Sequence, residues 1–234
     1  MDKLQKYKPT DKMIDLIGDN YSLLQVMSRF GLSLGFGDKT VEEVCEMNNV
    51  DCQTFLVVVN FMAEGFSRMD GSADDISIPA LVDYLRQAHI YFLDYCLPAI
   101  RRKLIEAIDC SQDDVSFLIL KFFDGYMREV RKHMEYEEKT VFKYVDTLIH
   151  GNAPKNYQIS TFSKHHDQVG ERLTELKNII IKYCPAKANT NVLNAALFDI
   201  YACEEGLESH CKVEDYLFVP AILKLERRMR ENEK

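Results

Sequence analysis

The sequence predicts an all-α protein in which an up-down-up-down four-helix bundle follows a small helical domain. Three observations support this fold class. Long stretches carry apolar residues three or four positions apart, the connections between them are short, and the first third of the chain contains shorter helical patterns broken by glycine. The predicted divisions are a small domain at 1–66, a linker at 67–78 and the bundle at 79–234.

The small domain is predicted to contain helices at roughly 10–17, 20–30, 40–48 and 52–64. Thr40 followed by Glu43 indicates a capping box, and Asp51 is placed to cap the next helix. A helix, a tight turn and a helix are also the outline of a DNA-binding motif. The second of these helices, however, has no Lys or Arg from Gln53 to Met62. We therefore expect a helical packing module.

Composition and charge exclude several classes of protein. The 234-residue chain has a net charge of −8, and residues 1–75 alone hold seven Lys or Arg against thirteen Asp or Glu, which disfavours binding to nucleic acid. Seven cysteines without a CxxC pair, and no signal peptide, predict a reducing, cytoplasmic location. No apolar run approaches the roughly 18 residues that a membrane span needs, so no membrane association is expected.

The linker is acidic and contains Gly and Ser, and Pro79 then stands at the favoured first position of a helix. Four long helices are predicted at about 79–109, 112–149, 159–184 and 190–230. Pro98 and Pro220 lie inside two of them and should kink them. Apolar periodicity assigns each helix an inward face. The four inward series are Leu81, Leu85, His89, Leu93, Cys96, Ile100 and Leu104; Leu118, Phe122, Tyr126, Val130, His133, Glu137, Val141 and Val145; Ile159, Phe162, His166, Val169, Leu173, Leu176 and Ile180; and Leu193, Ala196, Ile200, Cys203, Leu207, His210, Glu214, Leu217 and Ala221.

Two His-x-x-x-Glu pairs, one formed by His133 with Glu137 and one by His210 with Glu214, lie on these inward faces. A single pair one helical turn apart is often only a surface ion pair. Two polar groups per helix pointing into a core would cost several kcal/mol unless something satisfied them, and a metal ion is the strongest candidate.

The register of the helices supports one shared site. His89 and His133 each lie about 20 residues, or ~30 Å, from the turn that joins their helices. His166 and His210 lie level with each other to within about one turn on the other pair of helices. Four imidazoles and two carboxylates should therefore converge at one height. Six ligands suit a pair of metal ions better than one tetrahedral zinc, and mixed imidazole and carboxylate ligation fits iron, with zinc and manganese as alternatives.

These residues resemble those of the hemerythrin-like cation-binding domain, and with the small preceding domain the chain is similar to the repair-of-iron-centres (YtfE/ScdA) family. The resemblance implies two iron ions joined by an oxo or hydroxo bridge. It also implies that Glu137 and Glu214 are bridging carboxylates, with His89 and His133 on one iron and His166 and His210 on the other. The implied role is repair of iron–sulfur clusters damaged by nitric oxide or oxidants, by supplying iron to damaged proteins or to scaffold proteins.

The chain departs from that family in the small domain, where adjacent cysteines usually precede a Gly-rich turn. Here the corresponding positions are Gly35 and Phe36, so thiol chemistry at this loop is not expected. Two alternatives to the repair role stay open at this point. One is a protein that binds or senses O2 or nitric oxide and keeps its iron, and the other is an enzyme that reduces nitric oxide or peroxide. Oligomeric state is also open, a dimer included.

The adjacent histidines His165 and His166 can be separated by the inward face. His166 continues the series through Phe162 and Val169, whereas His165 is turned about 100° away, so His166 is the predicted ligand. One turn earlier, where oxygen-carrying hemerythrins have an additional ligating histidine, this chain has Phe162. Each iron would then have fewer protein ligands, which predicts open coordination positions and iron that leaves more readily.

Overall fold

A computed structural model describes residues 6–64, 76–108, 114–152, 157–164, 168–184 and 188–232. These residues fold into helices and connecting turns and contain no β-strand, which confirms the all-α class. None of the helices in these ranges has the length and apolar character that crossing a bilayer would require.

The small helical region contains four short helices: α1 (Met13–Asp19), α2 (Leu23–Arg29), α3 (Val41–Met47) and α4 (Cys52–Glu64). The predicted capping box is present, since Thr40 Oγ1 accepts a hydrogen bond from the Glu43 amide and Glu43 Oε2 accepts one from the Thr40 amide. Asp51 Oδ1 accepts the amide hydrogen bond of Thr54 at 2.7 Å and so caps α4. Asn49, with φ 53°, makes the turn between α3 and α4.

The remaining helices are long but interrupted. They are α5 (Ile78–Ile90), a π-helical segment (Tyr91–Cys96) and α6 (Leu97–Ala107); α7 (Asp114–Tyr136), a π-helical segment (Glu137–Val141) and α8 (Phe142–Ile149); a 3₁₀ segment (Ile159–Lys164) and α9 (Gln168–Tyr183); and α10 (Thr190–Val213), a π-helical segment (Glu214–Phe218) and α11 (Val219–Asn232). The four predicted long helices are therefore found, and the third begins as a 3₁₀ turn.

The π-helical segments explain how two of these helices carry an internal proline. Pro98 and Pro220 each follow a π-helical segment within two residues. The carbonyl four residues before each proline, that of Asp94 or of Tyr216, lies inside the segment. Proline cannot donate to that carbonyl, and its ring clashes with it in a regular α-helix. A π turn carries an extra residue and so changes the position of that carbonyl relative to the proline ring.

Two compact units make up the chain, Met1–Ala88 with Lys212–Lys234, and His89–Cys211. The domain limits predicted from composition, 1–66, 67–78 and 79–234, stay a prediction, because compactness alone does not define independent folding.

In the first unit, the ring of Phe30 packs against Phe55 at 5.4 Å and against Tyr84 at 4.9 Å. Arg29 is only 5% exposed, and its guanidinium donates a hydrogen bond to the Tyr84 hydroxyl. Asn60 on α4 makes two hydrogen bonds to the backbone of Tyr7, accepting from its amide at 2.7 Å and donating to its carbonyl at 3.0 Å. These contacts join the amino-terminal segment and α2 to the longer helices of the unit.

In the second unit, ion pairs link each helix to the next around a four-helix bundle. They are Arg101–Asp124 between α6 and α7, Glu129–Arg172 between α7 and α9, Lys177–Glu204 between α9 and α10, and Asp199–Lys103 between α10 and α6. The more exposed of these pairs contribute only about 0–1 kcal/mol each, whereas Lys177 is 7% exposed and its pair with Glu204 is largely buried. The apolar core of the bundle supplies most of the burial, and the ion pairs fix which helices are neighbours.

The predicted inward faces are correct for most of the described positions. Of the predicted residues, Leu118 is exposed, and Leu93, Phe122, His133 and Leu193 are only half-buried. Leu118 is 58% exposed, because the buried face of α7 instead runs through Ile119 and Phe123 to Tyr126. Phe92 is fully buried and Leu93 is only half-buried. This second difference follows from the π-helical segment there, whose extra residue per turn rotates the side chains relative to an α-helix.

We expect Asn60→Ala to lower the free energy of unfolding by roughly 2 to 4 kcal/mol, because it leaves the buried amide and carbonyl of Tyr7 without partners. Urea denaturation followed by circular dichroism measures the change, and hydrogen exchange at the Tyr7 amide should accelerate. Asn191→Ala, at an exposed position, is the control and should change stability by less than about 0.5 kcal/mol. A loss in Asn60→Ala as small as in the control would contradict this account.

Candidate metal centre

The structure brings together the predicted ligands that lie within the described residues. Ligand atoms of His89, Glu137, His210 and Glu214 all lie within 4.8 Å of one another, and all four side chains are buried. His133 joins the group through Glu137, since its Nε2 lies 2.7 Å from Glu137 Oε1. The remaining predicted ligand, His166, lies outside the described residues. The role of these six residues as ligands stays a prediction.

Glu137 lies beside the three predicted imidazole ligands that fall within the described residues. Its Oε1 faces His133, while its Oε2 lies 2.8 Å from His89 Nε2 and 4.0 Å from His210 Nε2. Glu137 itself is 0% exposed. One buried carboxylate thus presents its two oxygens to different imidazoles, an arrangement in which each oxygen can serve a different cation.

Helical geometry explains why these groups converge. His133 and Glu137 are four residues apart on α7 and its continuation, so they share a face, and the same spacing relates His210 to Glu214. Both glutamates are the first residue of a π-helical segment, and a third such segment begins two residues after His89. Such segments are frequent at functional sites, because they change the direction of side chains on a helix that otherwise continues.

Aromatic packing fixes the imidazole planes. The ring of His89 stacks on Phe142 at 5.5 Å with an interplanar angle of 13°, and meets the ring of His210 edge-on at 5.1 Å. Phe92 packs edge-on against His210 at 6.1 Å. The buried rings therefore have little freedom to rotate, which lowers the entropy that ligand binding would cost. His133 is the most exposed of these imidazoles, with 16% of its side chain accessible, so solvent reaches the group from its side.

The electrostatics favour an ionised carboxylate at the centre. Burial by itself raises the pKa of Glu137, but the imidazoles of His133, His210 and His89 outweigh it and hold this pKa well below the usual range for a glutamate. For His89, burial lowers the pKa, and the carboxylates of Glu137 and Glu138 raise it, with a net increase. The ionised carboxylate of Glu137 therefore strongly stabilises a positive charge beside it, whether that charge is a proton on an imidazole or a metal cation.

Buried polar atoms test whether a metal fits here. Among the described residues, His89 Nε2 and both oxygens of Glu137 are buried and make no hydrogen bond, although the contacts between these two residues are short. The contacts lack the angles of hydrogen bonds. Leaving three such atoms unsatisfied would cost several kcal/mol, whereas imidazole nitrogens and carboxylate oxygens are ligands of first-row transition metals. The residues present therefore fit a metal ion.

Glu138 is a functional residue that the sequence reasoning missed. Its Oε1 lies 2.9 Å from Nδ1 of His89, the nitrogen that faces away from Glu137. A proton donated by Nδ1 to Glu138 leaves the lone pair of Nε2 free for a metal, and it fixes both the tautomer and the ring orientation. The only sequence signal was its position next to Glu137, and an acidic residue on a partly exposed helix face is ordinarily just solvated.

Comparison with protein families identifies a match over much of the chain. Residues 80–222, more than half of the chain, match the family model described as the hemerythrin HHE cation binding domain. Against the curated proteins, the chain has no match. The matched region contains all six of the predicted ligands, including the four whose ligand atoms the structure places within 4.8 Å of one another.

We expect Glu138→Gln to weaken metal binding about 10-fold and Glu138→Ala to weaken it by up to about 100-fold, because His89 loses the acceptor that orients it. Competition with a chelator of known affinity measures the change. Nitrogen chemical shifts of His89 should show a mixed tautomer in the Ala variant. The matched control is Glu135→Gln, which removes a charge from an exposed pair with Lys139. Equal affinity in the wild type and both Glu138 variants would show that Glu138 does not position His89.

Proposed function

Because the chain belongs to the hemerythrin HHE cation-binding family, we propose that it binds two iron ions in its helical bundle and supplies iron for the repair of damaged iron–sulfur clusters. The observation that carries the proposal is Glu137, a fully buried carboxylate with one oxygen facing His133 and the other facing His89 and His210. A carboxylate shared between two cations needs this division of its oxygens.

The proposed ligands follow from the cluster and from the sequence. His89 and His133 bind mostly one ion and His210 the other, with Glu137 bridging both. Glu214, one helical turn after His210, is the proposed second bridge, and His166 is the proposed further imidazole. When bound, the iron pair would supply redox chemistry and positions for O2, nitric oxide or solvent. The protein supplies the two negative charges of the bridges, the fixed imidazole orientations and a mostly dry environment, which strengthens electrostatic attraction.

Two features support release rather than permanent retention of the metal. Phe162 is 1% exposed and stands four residues before His166 in the sequence, where oxygen-carrying hemerythrins have an additional ligating histidine, so this chain offers an apolar ring at that position. His133 is reached by solvent on one side of the group. A site with fewer protein ligands and one accessible side exchanges its ions faster than a closed site. These properties suit an iron donor, and the proposed recipients are damaged iron–sulfur proteins or the scaffold proteins that rebuild clusters.

The small helical region departs from the repair-of-iron-centres pattern in its loop. Gly35 and Phe36 stand where that family has adjacent cysteines, and Gly35 has a φ of 90°, a backbone conformation that residues with a side chain rarely adopt. The proposed iron transfer therefore relies on the bundle and involves no thiols at this loop.

The test of the proposed function is transfer of iron to an iron–sulfur enzyme that has lost its cluster. Iron-loaded protein, supplied with a sulfide source, should restore the activity of the apo-enzyme under anaerobic conditions, and Glu137→Ala protein treated in the same way should not. Metal analysis should find about two ions per wild-type chain and at least one fewer in the variant. Full loading without any recovered activity would instead indicate a carrier or sensor that keeps its iron, and a loading of one ion would contradict the paired site.

The two adjacent histidines provide a second test. His166→Ala should deplete bound iron, whereas His165→Ala should leave it unchanged, because only His166 continues the inward series of its helix. Iron is measured per folded chain after gel filtration, with helix content as the check on folding. Equal loss of iron in both variants would show that the assignment of His166 is wrong.

A further inference from the structure

A second group of chemically reactive side chains lies in the bundle beyond the proposed metal ligands. Cys96 is 8% exposed and Cys203 is 2% exposed, and both belong to the inward faces of their helices. Neither has a part in binding iron as proposed above. Buried single cysteines usually act as small apolar residues. Two cysteines that meet inside a core can also form a disulfide and so give up two electrons.

The register of the helices places these two cysteines opposite each other. The rings of His89 and His210 are 5.1 Å apart, and seven residues onward from His89 is Cys96, while seven residues back from His210 is Cys203. Further along, Lys103 pairs with Asp199 at 2.5 Å, and the Asn189 amide donates to the Ala107 carbonyl at 2.9 Å. The two helices therefore run antiparallel in this register along their length, and Cys96 faces Cys203.

Electrostatics agree with this contact. The neighbouring thiol of Cys96 is the largest cause, ahead of burial, that raises the pKa of the Cys203 thiol well above its usual value. Burial raises the pKa of Tyr126, and the Cys203 thiol is the next contributor, so this phenol lies close to the pair. The Tyr126 hydroxyl is buried and, within the described residues, makes no hydrogen bond. Two thiols and a phenol thus form a polar group inside an otherwise apolar part of the core.

The distance of Cys96 and Cys203 from the proposed metal ligands, and the limited access of solvent to their thiols, together indicate a role for these two cysteines. Seven residues of helix place each cysteine ~10 Å from the imidazole on its own helix. That separation excludes sulfur as a ligand of the same ion but is short enough for electron transfer. Buried thiols react slowly with oxidants in bulk solvent, because those oxidants do not reach them. An oxidant held inside the same bundle does not have this barrier of access.

We propose that Cys96 and Cys203 are an internal dithiol that reduces ferric iron at the metal centre, an inference that rests on the proposed iron-binding function. Each thiol gives up one electron to a ferric ion and one proton to solvent, and the two sulfurs join in a disulfide. Two thiols and two ferric ions thus give one disulfide, two ferrous ions and two protons, so that charges and atoms balance. Ferrous ions carry less charge and are held less strongly by the bridging carboxylates. The dithiol would therefore convert tightly held iron into iron that can be donated.

The experiment uses the full chain, stripped of metal with its thiols reduced, and loads it anaerobically with ferric citrate in the absence of any reductant. A ferrous-specific chelator measures ferrous iron, and alkylation followed by peptide mass spectrometry measures the disulfide. We expect one Cys96–Cys203 disulfide for every two ferrous ions formed. Loading with gallium(III), a redox-inert trivalent ion, should leave both thiols free.

The variants separate the pair from other cysteines. The Cys96→Ala and Cys203→Ala proteins should still bind iron but should form no ferrous iron. The control is Cys45→Ala, which changes a buried cysteine of the other compact unit and should behave as the wild type. The wild-type measurement decides the matter even if a variant fails to fold. Iron bound with both thiols still reduced would overturn this inference and leave the proposed function intact, and disulfide formation with gallium(III) would also overturn it. Failure of the wild type to bind iron at all would overturn both.

Discussion

The structure of the bundle depends on one buried carboxylate. Glu137 is 0% exposed and has imidazoles within 2.7 and 2.8 Å. An ionised carboxylate in an apolar core would cost several kcal/mol without compensation. Its compensation comes from three helices, through His89, His133 and His210, so the energetic requirement of one side chain determines how these helices must be arranged. A cation at this place adds to the same compensation, which couples metal binding to the stability of the bundle.

That requirement accounts for features of the helices that would otherwise be unfavourable. Each of the π-helical segments begins at, or two residues after, one of the proposed ligands, in a helix that could have continued as a regular α-helix. Such segments are rare and weaken the regular hydrogen-bond pattern. Here they accompany changes in side-chain direction, as the burial of Phe92 in place of Leu93 shows, and in two cases they precede an internal proline. The π-helical segments make the backbone locally less stable, and in return they orient the proposed ligands in a way that a regular helix would not.

The polar groups of the core are arranged in levels along the bundle. The imidazoles and carboxylates occupy one level, with Glu138 holding His89 from outside, and the thiols of Cys96 and Cys203 occupy the next. A core with two levels of reactive groups is less stable than an apolar one of the same volume. Packing alone gives no reason for polar and reactive side chains at these positions, whereas metal binding and thiol chemistry within the bundle do.

The amino-acid sequence by itself determined the helical class and most of the inward-facing positions. It also determined the spacing that brings His133 and His210 onto the faces of Glu137 and Glu214. These features follow from the periodicity of a helix, which is local. Tertiary structure decided what depends on neighbours far apart in the chain. The exposure of Leu118, the hydrogen bond between His89 and Glu138, and the meeting of Cys96 with Cys203 depend on the packing and register between helices. The burial of Phe92 in place of Leu93 depends on a π-helical segment. A pattern read along one helix contains no information on either, because an extra residue in one turn shifts every later side chain relative to the helix opposite.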